Sequence, residues 1–214
     1  MTDTEVQRKL SYYRRQLDAV AGENLRKDYE ISGLRKEIRY RVRAFALLSE
    51  LQERVAAHRD IGEILRTVMT SITASLGMDR TVIFRPGDAE HEFRPWFWTG
   101  FTEEGRAEEF NERLEGFSVA VPELEDRSAA LLVNRDSEAT PSVDALQTIL
   151  EMPFFVGVPV FVDDEPIALI LSGRVKETGT VFAQISESDV ETFRAITSLV
   201  SAVVQNIRVA ALEE

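Results

Sequence analysis

The chain has 214 residues, 44% of them hydrophobic, and it contains no cysteine. This length allows one domain with a core and an extended element, and the lack of cysteine excludes disulfides, thiolate metal sites and cysteine nucleophiles. The net charge of −12 divides into +4 for residues 1–59 and −16 for residues 60–214. The acidic part repels a phosphate backbone, which argues against a nucleic-acid partner.

The sequence shows neither the pattern of a membrane-spanning helix nor that of a secretory signal. The most apolar run, Phe154–Val162, is far shorter than the roughly 20 residues that a membrane-spanning helix needs. The N-terminus has neither a basic start nor an apolar stretch, so we expect no secretory signal. Together with the lack of cysteine, this predicts a cytoplasmic protein with no membrane association.

An apolar seam runs from Val6 to Val55. Counting from Val6 in alternate intervals of four and three residues, most of the positions are apolar. The residues between these positions are largely charged or Gln. A repeat of 3.5 residues predicts a helix that supercoils with a second copy. The predicted dimer seam comprises Leu10, Tyr13, Leu17, Asn24, Ile31, Leu34, Ile38, Phe45 and Leu48, with Val200, Val203 and Ile207 near the other end of the chain.

Polar and flexible residues interrupt this seam. Gly22 and Gly33 each cost roughly 1 kcal/mol in a helix interior, and Asn24, Lys27 and Arg41 occupy seam positions. Two arrangements remain open. The first, which we favour, is a parallel dimeric coiled coil, and the second is a pair of helices, 6–20 and 31–55, folded back on each other. The basic residues between positions 35 and 43 are interpreted as a solvated face, with an acidic partner or nucleic acid as the alternative.

A second helix follows a break near residues 58–60. Asp60 and Glu63 have the spacing of a capping box, and the apolar residues between Ile61 and Leu76 mark one face of an amphipathic helix. Gly77 is expected to end it.

Strands and short helices alternate over the next eighty residues. Residues 81–84 and 93–98 predict paired strands around a turn at 86–88. Thr102 is expected to cap a short helix that carries Phe110 and Leu114. Short strands are predicted at 117–121 and 131–134, and Thr140-Pro141 predicts a helix start.

The clearest hairpin pairs 154–162 with 167–174 around a turn at 163–166. Both strands are apolar on both faces, which indicates a sheet centre covered on both sides. Ser186 and Asp189 have the spacing of a second capping box. They begin a long helix, in which apolar residues again recur at intervals of three and four residues.

This order of elements resembles the GAF domain, a small-molecule-sensing regulatory module related in shape to the PAS domain. The most similar segments are Phe155–Val162 with Pro166–Leu171, Ile185–Phe193, and Asp60–Asp79. The resemblance implies an α+β fold with a six-stranded antiparallel sheet flanked by helices, preceded here by the N-terminal parallel coiled coil. It also implies that the first and last helices pack on one face of the sheet and that any ligand pocket lies on the other.

The resemblance divides the chain into two regions. Residues 1–58 are predicted to form the coiled-coil signalling helix, and residues 59–210 the GAF domain. The last helix, residues 187–211, is expected to lie at the dimer interface as well. The apolar stripe is still running at residues 210–214, which leaves two interpretations open: an output domain that follows, which we favour, and a native stop.

No catalytic or metal-binding constellation is visible. The resembled family includes a methionine sulfoxide reductase branch and bilin-binding branches, and both depend on cysteine, which this chain lacks. Some phosphodiesterase GAF domains that bind cyclic nucleotides carry an Asn-Lys-Phe-Asp-Glu signature, whereas residues 133–138 here read Val-Asn-Arg-Asp-Ser-Glu. His58 and His91 are interpreted as a connecting-helix residue and an exposed turn residue. We therefore expect no enzyme activity, no metal and no cofactor.

An aromatic group suggests a ligand pocket. Alternation along the strand places Trp96 and Trp98 on one face, where they would form flat walls for a planar ligand, with Asn134 and Asp136 as polar contacts. The alternative is that the aromatic side chains fill the space and leave no pocket. The candidate pocket residues are Trp96, Trp98, Phe101, Phe110, Phe117, Asn134, Asp136 and Phe155.

The functional prediction is a dimeric GAF sensory or regulatory module of signal transduction. A small molecule of unknown identity or a protein partner would act at the GAF domain, and the helices would transmit the response. The alternative is a coiled-coil scaffold whose GAF domain binds no small molecule.

Overall fold

The computed structural model describes residues 3–101, 106–124, 126–135, 137–175 and 185–212. The chain forms two compact units, residues 1–42 and residues 43–214. Helix α1 spans Asp3–Ala56, so it supplies the whole helix of the first unit and the first element of the second. None of the described helices is long and apolar enough to cross a membrane.

The first unit is a helix with an uncovered apolar face. Helix α1 runs without a break through Gly22 and Gly33, so the alternative arrangement, two helices folded back on each other, is wrong. Exposed ion pairs such as Lys27–Glu23 at 2.7 Å add little stability, because solvent screens them. The predicted seam side chains are solvent-exposed in the single chain, namely Leu10, Tyr13, Leu17, Asn24, Ile31, Leu34 and Ile38.

The last turns of α1 belong to the second unit. Ala44, Leu47, Leu51 and Val55 are buried there, whereas Phe45 remains 73% exposed. Val55 therefore lies in the domain core, and the prediction that it belongs to a seam between chains is wrong. The two roles were confused because the core-facing and partner-facing positions of this segment both recur every three or four residues.

The break between the first two helices has a local cause. Helix α2 spans Ile61–Ser75, and the Asp60 carboxylate accepts a hydrogen bond from the backbone N–H of Glu63 at 2.9 Å, which confirms the predicted cap. The Glu63 carboxylate lies 3.1 Å from Nδ1 of His58. Helix α2 ends before Gly77, which has the positive φ of 64° expected of a helix stop.

Six antiparallel strands form one sheet, as the resemblance implied. The strand order is β3-β2-β1-β6-β5-β4. The strands are β1 Arg80–Pro86, β2 Glu92–Thr99, β3 Val119–Ala120, β4 Leu131–Val133, β5 Phe154–Val162 and β6 Glu165–Arg174. β3 and β4 are shorter than the sequence predicted.

Helices cover both faces of this sheet. Helix α5, Glu187–Leu212, packs on β5, and α2 packs on β1 and β2 and contacts α5. The other face carries helices α3, Ala107–Glu115, and α4, Pro141–Leu150, whose buried side chains join those of β1, β5 and β6 in one apolar cluster. The first and last helices of the domain therefore share a face, as predicted.

The central hairpin has a tighter turn than predicted. Only Asp163 and Asp164 separate β5 from β6, and both have positive φ angles of 52° and 65°, as in the two-residue turns that match strand twist. Strand β4 pairs with β5 only at residues 155–157. Pro159 therefore lies where β5 has a strand neighbour on one side only, a position that tolerates its missing N–H.

The remaining helix starts follow their capping signals. Thr140 Oγ1 accepts from the N–H of Val143 at 3.3 Å, and the N–H of Ser186 donates to the Asp189 carboxylate at 2.7 Å. Both predicted caps are confirmed. Thr102 lies outside the described residues, but Phe110 and Leu114 lie on a short helix as predicted, and both are buried.

Candidate functional site

Trp96, the first of the two tryptophans on strand β2, occupies a β-bulge. Ile83 pairs with Phe97 and Phe84 pairs with Pro95, so Trp96 is the extra residue on β2. The Trp96 ring stacks on the Phe97 ring with centroids 4.6 Å apart. Phe97 lies on the α2 side of the sheet, where the Arg66 guanidinium is 4.3 Å from its ring centroid.

Trp98 lies on the opposite side of the sheet. It packs against the apolar cluster beneath α3 and α4, and its Nε1 donates to Oδ1 of Asn111 on α3 at 2.8 Å. The expectation that Trp96 and Trp98 share one face is therefore wrong. The bulge is the reason, because an extra residue interrupts the alternation on which that expectation depended.

The other aromatic candidates meet in the core. Phe101, Phe110 and Phe155 are buried, and the rings of Phe101 and Phe110 lie 5.1 Å apart. Phe117 is partly buried against the same cluster. The structure thus brings together Trp98, Phe101, Phe110, Phe117 and Phe155 but not Trp96. These five side chains belong to or pack against one apolar cluster, and Phe155 has no exposed surface.

The polar candidates at the end of β4 are only partly described. Asn134 follows β4, its N–H donates to Ser137 Oγ at 2.8 Å, and its Oδ1 accepts from the same hydroxyl at 3.2 Å. These bonds shape the turn after the strand. Asp136 lies outside the described residues.

A buried arginine underlies the aromatic core. Arg80, at the start of β1, is 1% exposed, and its guanidinium lies 4.7 Å and 4.9 Å from the ring centroids of Phe101 and Phe110. It donates to the carbonyl oxygens of Leu150 at 2.6 Å and Glu151 at 3.2 Å. These carbonyl groups belong to the last residue of α4 and to the residue after it, so Arg80 satisfies carbonyls that the helix itself leaves unpaired and places a positive charge at its negative end.

Glu151 gathers two further arginines. Its Oε1 accepts from Nη2 of Arg106 at 2.7 Å and from Nη2 of Arg113 at 3.1 Å, and its Oε2 is 3.9 Å from Arg80. Glu151 follows α4 with a left-handed φ of 48°. Partial burial raises the pKa of Glu151, but the hydrogen bonds and charges of Arg113 and Arg106 outweigh it, so its pKa is lowered.

The ring of Phe110 contacts all three guanidinium groups. The centroid is 4.9 Å from Arg80, 5.0 Å from Arg106 and 4.4 Å from Arg113, distances at which a cation is attracted to the face of an aromatic ring. We refer to Arg80, Arg106, Arg113, Glu151 and Phe110 as the arginine cluster.

Sequence reasoning missed the arginine cluster. One signal was available, because Arg106 and Arg113 are seven residues apart and so lie on one side of a helical segment. Arg80 carried no comparable signal, because its partners Leu150 and Glu151 lie about 70 residues further along the chain.

An open groove lies at the hairpin end of the domain. It encloses about 380 Å³ and is lined by Asp126, Arg127, Ser128, Phe161 and Asp164. Arg127 and Asp164 form an exposed ion pair at 3.0 Å. The groove does not include any of the predicted pocket residues. In the described part of the chain, no group of three or more His, Asp or Glu side chains is placed to hold a metal ion.

The predicted seam residues of the second unit fall into two groups. Val200 is fully buried in the domain, so its assignment to a seam between chains is wrong. Its side chain lies on the inward stripe of α5, which has the same spacing as a seam. Phe45 is exposed, and Leu48, Val203 and Ile207 are half-buried.

The chain belongs to the GAF domain family, whose family model matches residues 60–204. This family is typical of signalling and regulatory proteins. No curated protein sequence matches the chain.

Solved structures share the fold at low sequence identity. A methyl-accepting chemotaxis protein, residues 122 to 287, has a TM-score of 0.54 and 17% identity over 75% of this chain and 98% of that one. The GAF domain of a phosphoenolpyruvate-protein phosphotransferase from Coxiella burnetii has a TM-score of 0.55 and 12% identity, covering 80% and 98%. The phycoerythrobilin-bound GAF domain of a cyanobacterial phytochrome has a TM-score of 0.57 and 14% identity, covering 79% and 98%.

Proposed function

We propose that this protein is a cytoplasmic, dimeric regulatory module of signal transduction, without enzyme activity of its own. A small molecule or a protein partner acts at the GAF domain, and paired α1 helices carry the response. The observation that carries this proposal is the exposed apolar face of α1.

The exposed face supports a second copy of the same chain as its partner. Leu17, Leu34 and Ile38 are each more than half exposed in the single chain. Burying one such side chain contributes about 1.5–3 kcal/mol. Their 3.5-residue spacing matches the seam of a two-stranded coiled coil, and a copy of the helix offers the same spacing in return. Asn24, within this seam, would favour a parallel pair in register, because its amide can bond to its counterpart.

The continuity of helix α1 supports the transmission of a response from the GAF domain to the paired helices. The helix that carries the exposed seam also contributes Leu47, Leu51 and Val55 to the core of the GAF unit, and Arg54 donates to Ser71 Oγ on α2 at 3.0 Å. A ligand would change the helix pair only if it bound two arrangements of the domain with different affinity. One of the solved structures with the same fold belongs to a methyl-accepting chemotaxis protein, which is consistent with the use of such a domain in signalling.

One observation favours a second candidate, a scaffold whose GAF domain binds no small molecule. Phe101, Phe110 and Phe155 are packed into the core rather than lining an accessible wall. In that case α1 recruits a protein partner and the domain serves as a folded anchor. Calorimetry of the purified full chain against candidate small molecules separates the two, since the scaffold binds none of them.

The dimer is tested by light scattering of residues 1–214. At micromolar concentration we expect twice the mass of one chain. Leu34→Asp combined with Ile38→Asp places charges in the seam and should shift the population to monomer. Tyr29→Asp is the matched control, because Tyr29 lies off the seam and is 73% exposed. A monomeric wild type, or seam variants that assemble like the wild type, would show that the seam is misassigned.

A further inference from the structure

We propose that α1 has a second contact surface, opposite the seam, which packs antiparallel against the same surface of a second copy and so joins one dimer to another. This contact goes beyond the proposed function, which pairs α1 helices only along the seam. We call the surface the outer face. At intervals of three and four residues it carries Asp18, Gly22, Leu25, Tyr29, Gly33 and Lys36.

Two large apolar side chains lie at the middle of the outer face. Leu25 and Tyr29 are about one helical turn apart and are 61% and 73% exposed. At about 100° per residue, both point away from the seam positions Asn24, Lys27 and Ile31. Pairing along the seam therefore leaves both side chains in water.

The two glycines of the outer face are not explained by the single chain. Glycine destabilises a helix interior relative to alanine, and neither Gly22 nor Gly33 has the positive φ angle that would require it. A Cβ atom at either position would meet no atom within 4 Å, so the chain itself has room for alanine. Glycine at an exposed helix position instead allows the backbone of a second helix to approach closely.

The charges at the two ends of the outer face favour a second copy as the occupant. Asp18 and Lys36 are exposed, and neither forms an ion pair with the described residues. Residue 27 lies midway between them, so an antiparallel pair centred there places each Asp18 opposite Lys36 of the second copy. A parallel pair would place like charges opposite each other, which is unfavourable.

The uncharged residues match in the same antiparallel arrangement. With residue 27 at the centre, Leu25 lies opposite Tyr29 of the second copy, and Gly22 lies beside Gly33 of the second copy. Large side chains thus meet in the middle, and glycines meet toward both ends, where the helices can approach. The outer face is therefore complementary to itself in size and charge, as a two-fold contact between identical chains requires.

This contact is weak because it is small. About three helical turns bury far less than the roughly 1,600 Å² of a standard interface, and exposed ion pairs add little. We therefore expect a dimer at micromolar concentration and further association at about 0.5 mM. Each dimer has two outer faces, so this association extends beyond a tetramer.

Disulfide formation between two different variants tests the contact. Leu25→Cys and Tyr29→Cys are mixed at about 0.5 mM and oxidised, and mass spectrometry separates mixed from like disulfides. In the antiparallel arrangement the two positions are opposite each other, close to the Cα separation of about 4.4–6.8 Å that a disulfide requires. Each position is about one turn away from its own counterpart. We expect mixed disulfides in excess of the proportion that random pairing gives.

The matched control is a mixture of Tyr12→Cys and Tyr29→Cys. Tyr12 is 59% exposed, close to the 61% of Leu25, but it lies to one side of the outer face. This mixture should give only the random proportion of mixed disulfides. The same random proportion from Leu25→Cys with Tyr29→Cys would overturn the proposal.

A charge exchange tests the antiparallel orientation. Asp18→Lys and Lys36→Asp each place like charges opposite each other, and each should weaken association at about 0.5 mM by about fivefold. The variant with both substitutions restores opposite charges and should associate like the wild type in light scattering. A double variant that associates no better than the single ones contradicts the orientation, and with it the proposal.

Failure of the outer contact is distinguishable from failure of the seam. Tyr29→Asp should stay a dimer at about 0.5 mM, because it loses the outer contact and keeps the seam. A wild type that is dimeric at every concentration contradicts only the outer contact. Excess mixed disulfides in a chain that is monomeric at micromolar concentration support the outer contact and contradict the seam.

Discussion

The guanidinium of Arg80 donates a hydrogen bond of 2.6 Å to the carbonyl oxygen of Leu150, joining the first residue of β1 to the last residue of α4. The bond is buried, and the charge lies against the rings of both Phe101 and Phe110. It fixes the end of α4 to the sheet at the point where the chain turns toward β5. The position of Glu151, the next residue, depends on this bond.

Replacing Arg80 by Gln should destabilise the domain by about 3 kcal/mol. The shorter, neutral side chain leaves the carbonyl groups of Leu150 and Glu151 without their donor and removes the ion pair between Arg80 and Glu151. Urea unfolding followed by circular dichroism measures the change. Arg85→Gln, on the same strand but exposed, is the control and should change the free energy of unfolding by less than about 0.5 kcal/mol. Equal effects of the two variants would show that Arg80 is not an anchor.

Glu151 should make stability depend on pH. Its pKa in the folded domain is lowered, so the stability that it contributes is fully present above its unfolded pKa of about 4.3 and is lost as pH falls through the folded pKa. Wild type should therefore exceed Glu151→Gln in free energy of unfolding by about 1 kcal/mol at pH 7. The difference should shrink toward zero in the acid range. A difference that stays constant down to pH 2 would contradict the assigned ion pairs.

The two tryptophans should respond differently to the same substitution. Trp98→Phe removes the hydrogen bond from Nε1 to Asn111 and should cost about 1 kcal/mol, whereas Trp96→Phe keeps an aromatic ring against Phe97 and should cost less. Urea unfolding of both variants makes the comparison. A double-mutant cycle of Trp98→Phe with Asn111→Ala should show coupling, and a coupling energy near zero would mean that the bond does not form.

Sequence patterns that involve only a few neighbouring residues predicted the corresponding local structures correctly. Helices begin as expected at Asp60, Thr140 and Ser186, because a cap needs only a side chain and a backbone N–H three residues away. Asp60 and Thr140 accept through their own side chains, whereas the Ser186 N–H donates to the Asp189 carboxylate. The β5–β6 hairpin and the six-stranded sheet followed from apolar patterning and the family resemblance. Its turn is two residues long because Asp163 and Asp164 both accept positive φ.

Features set by distant partners were not predictable in this way. The bulge at Trp96 depends on the register of β2 against Ile83 and Phe84, which no residue of β2 reveals alone. Arg80 is a core residue because of a helix end about 70 residues away. Val200 has the spacing of a seam residue, and only the position of α5 against β5 shows that it faces inward.

The central claim, a dimer paired in parallel through α1, is tested most directly by cysteine cross-linking. The chain has no cysteine of its own, so a single introduced thiol forms a disulfide only with its counterpart in another chain. In a parallel pair Leu34 faces Leu34 of the second chain, close to the separation of about 4.4–6.8 Å between Cα atoms that a disulfide requires. We predict that Leu34→Cys oxidises to a covalent dimer and that Tyr29→Cys, on the outer face of the helix, does not. If Leu34→Cys stays monomeric under oxidation, or links no faster than Tyr29→Cys, the parallel seam is contradicted.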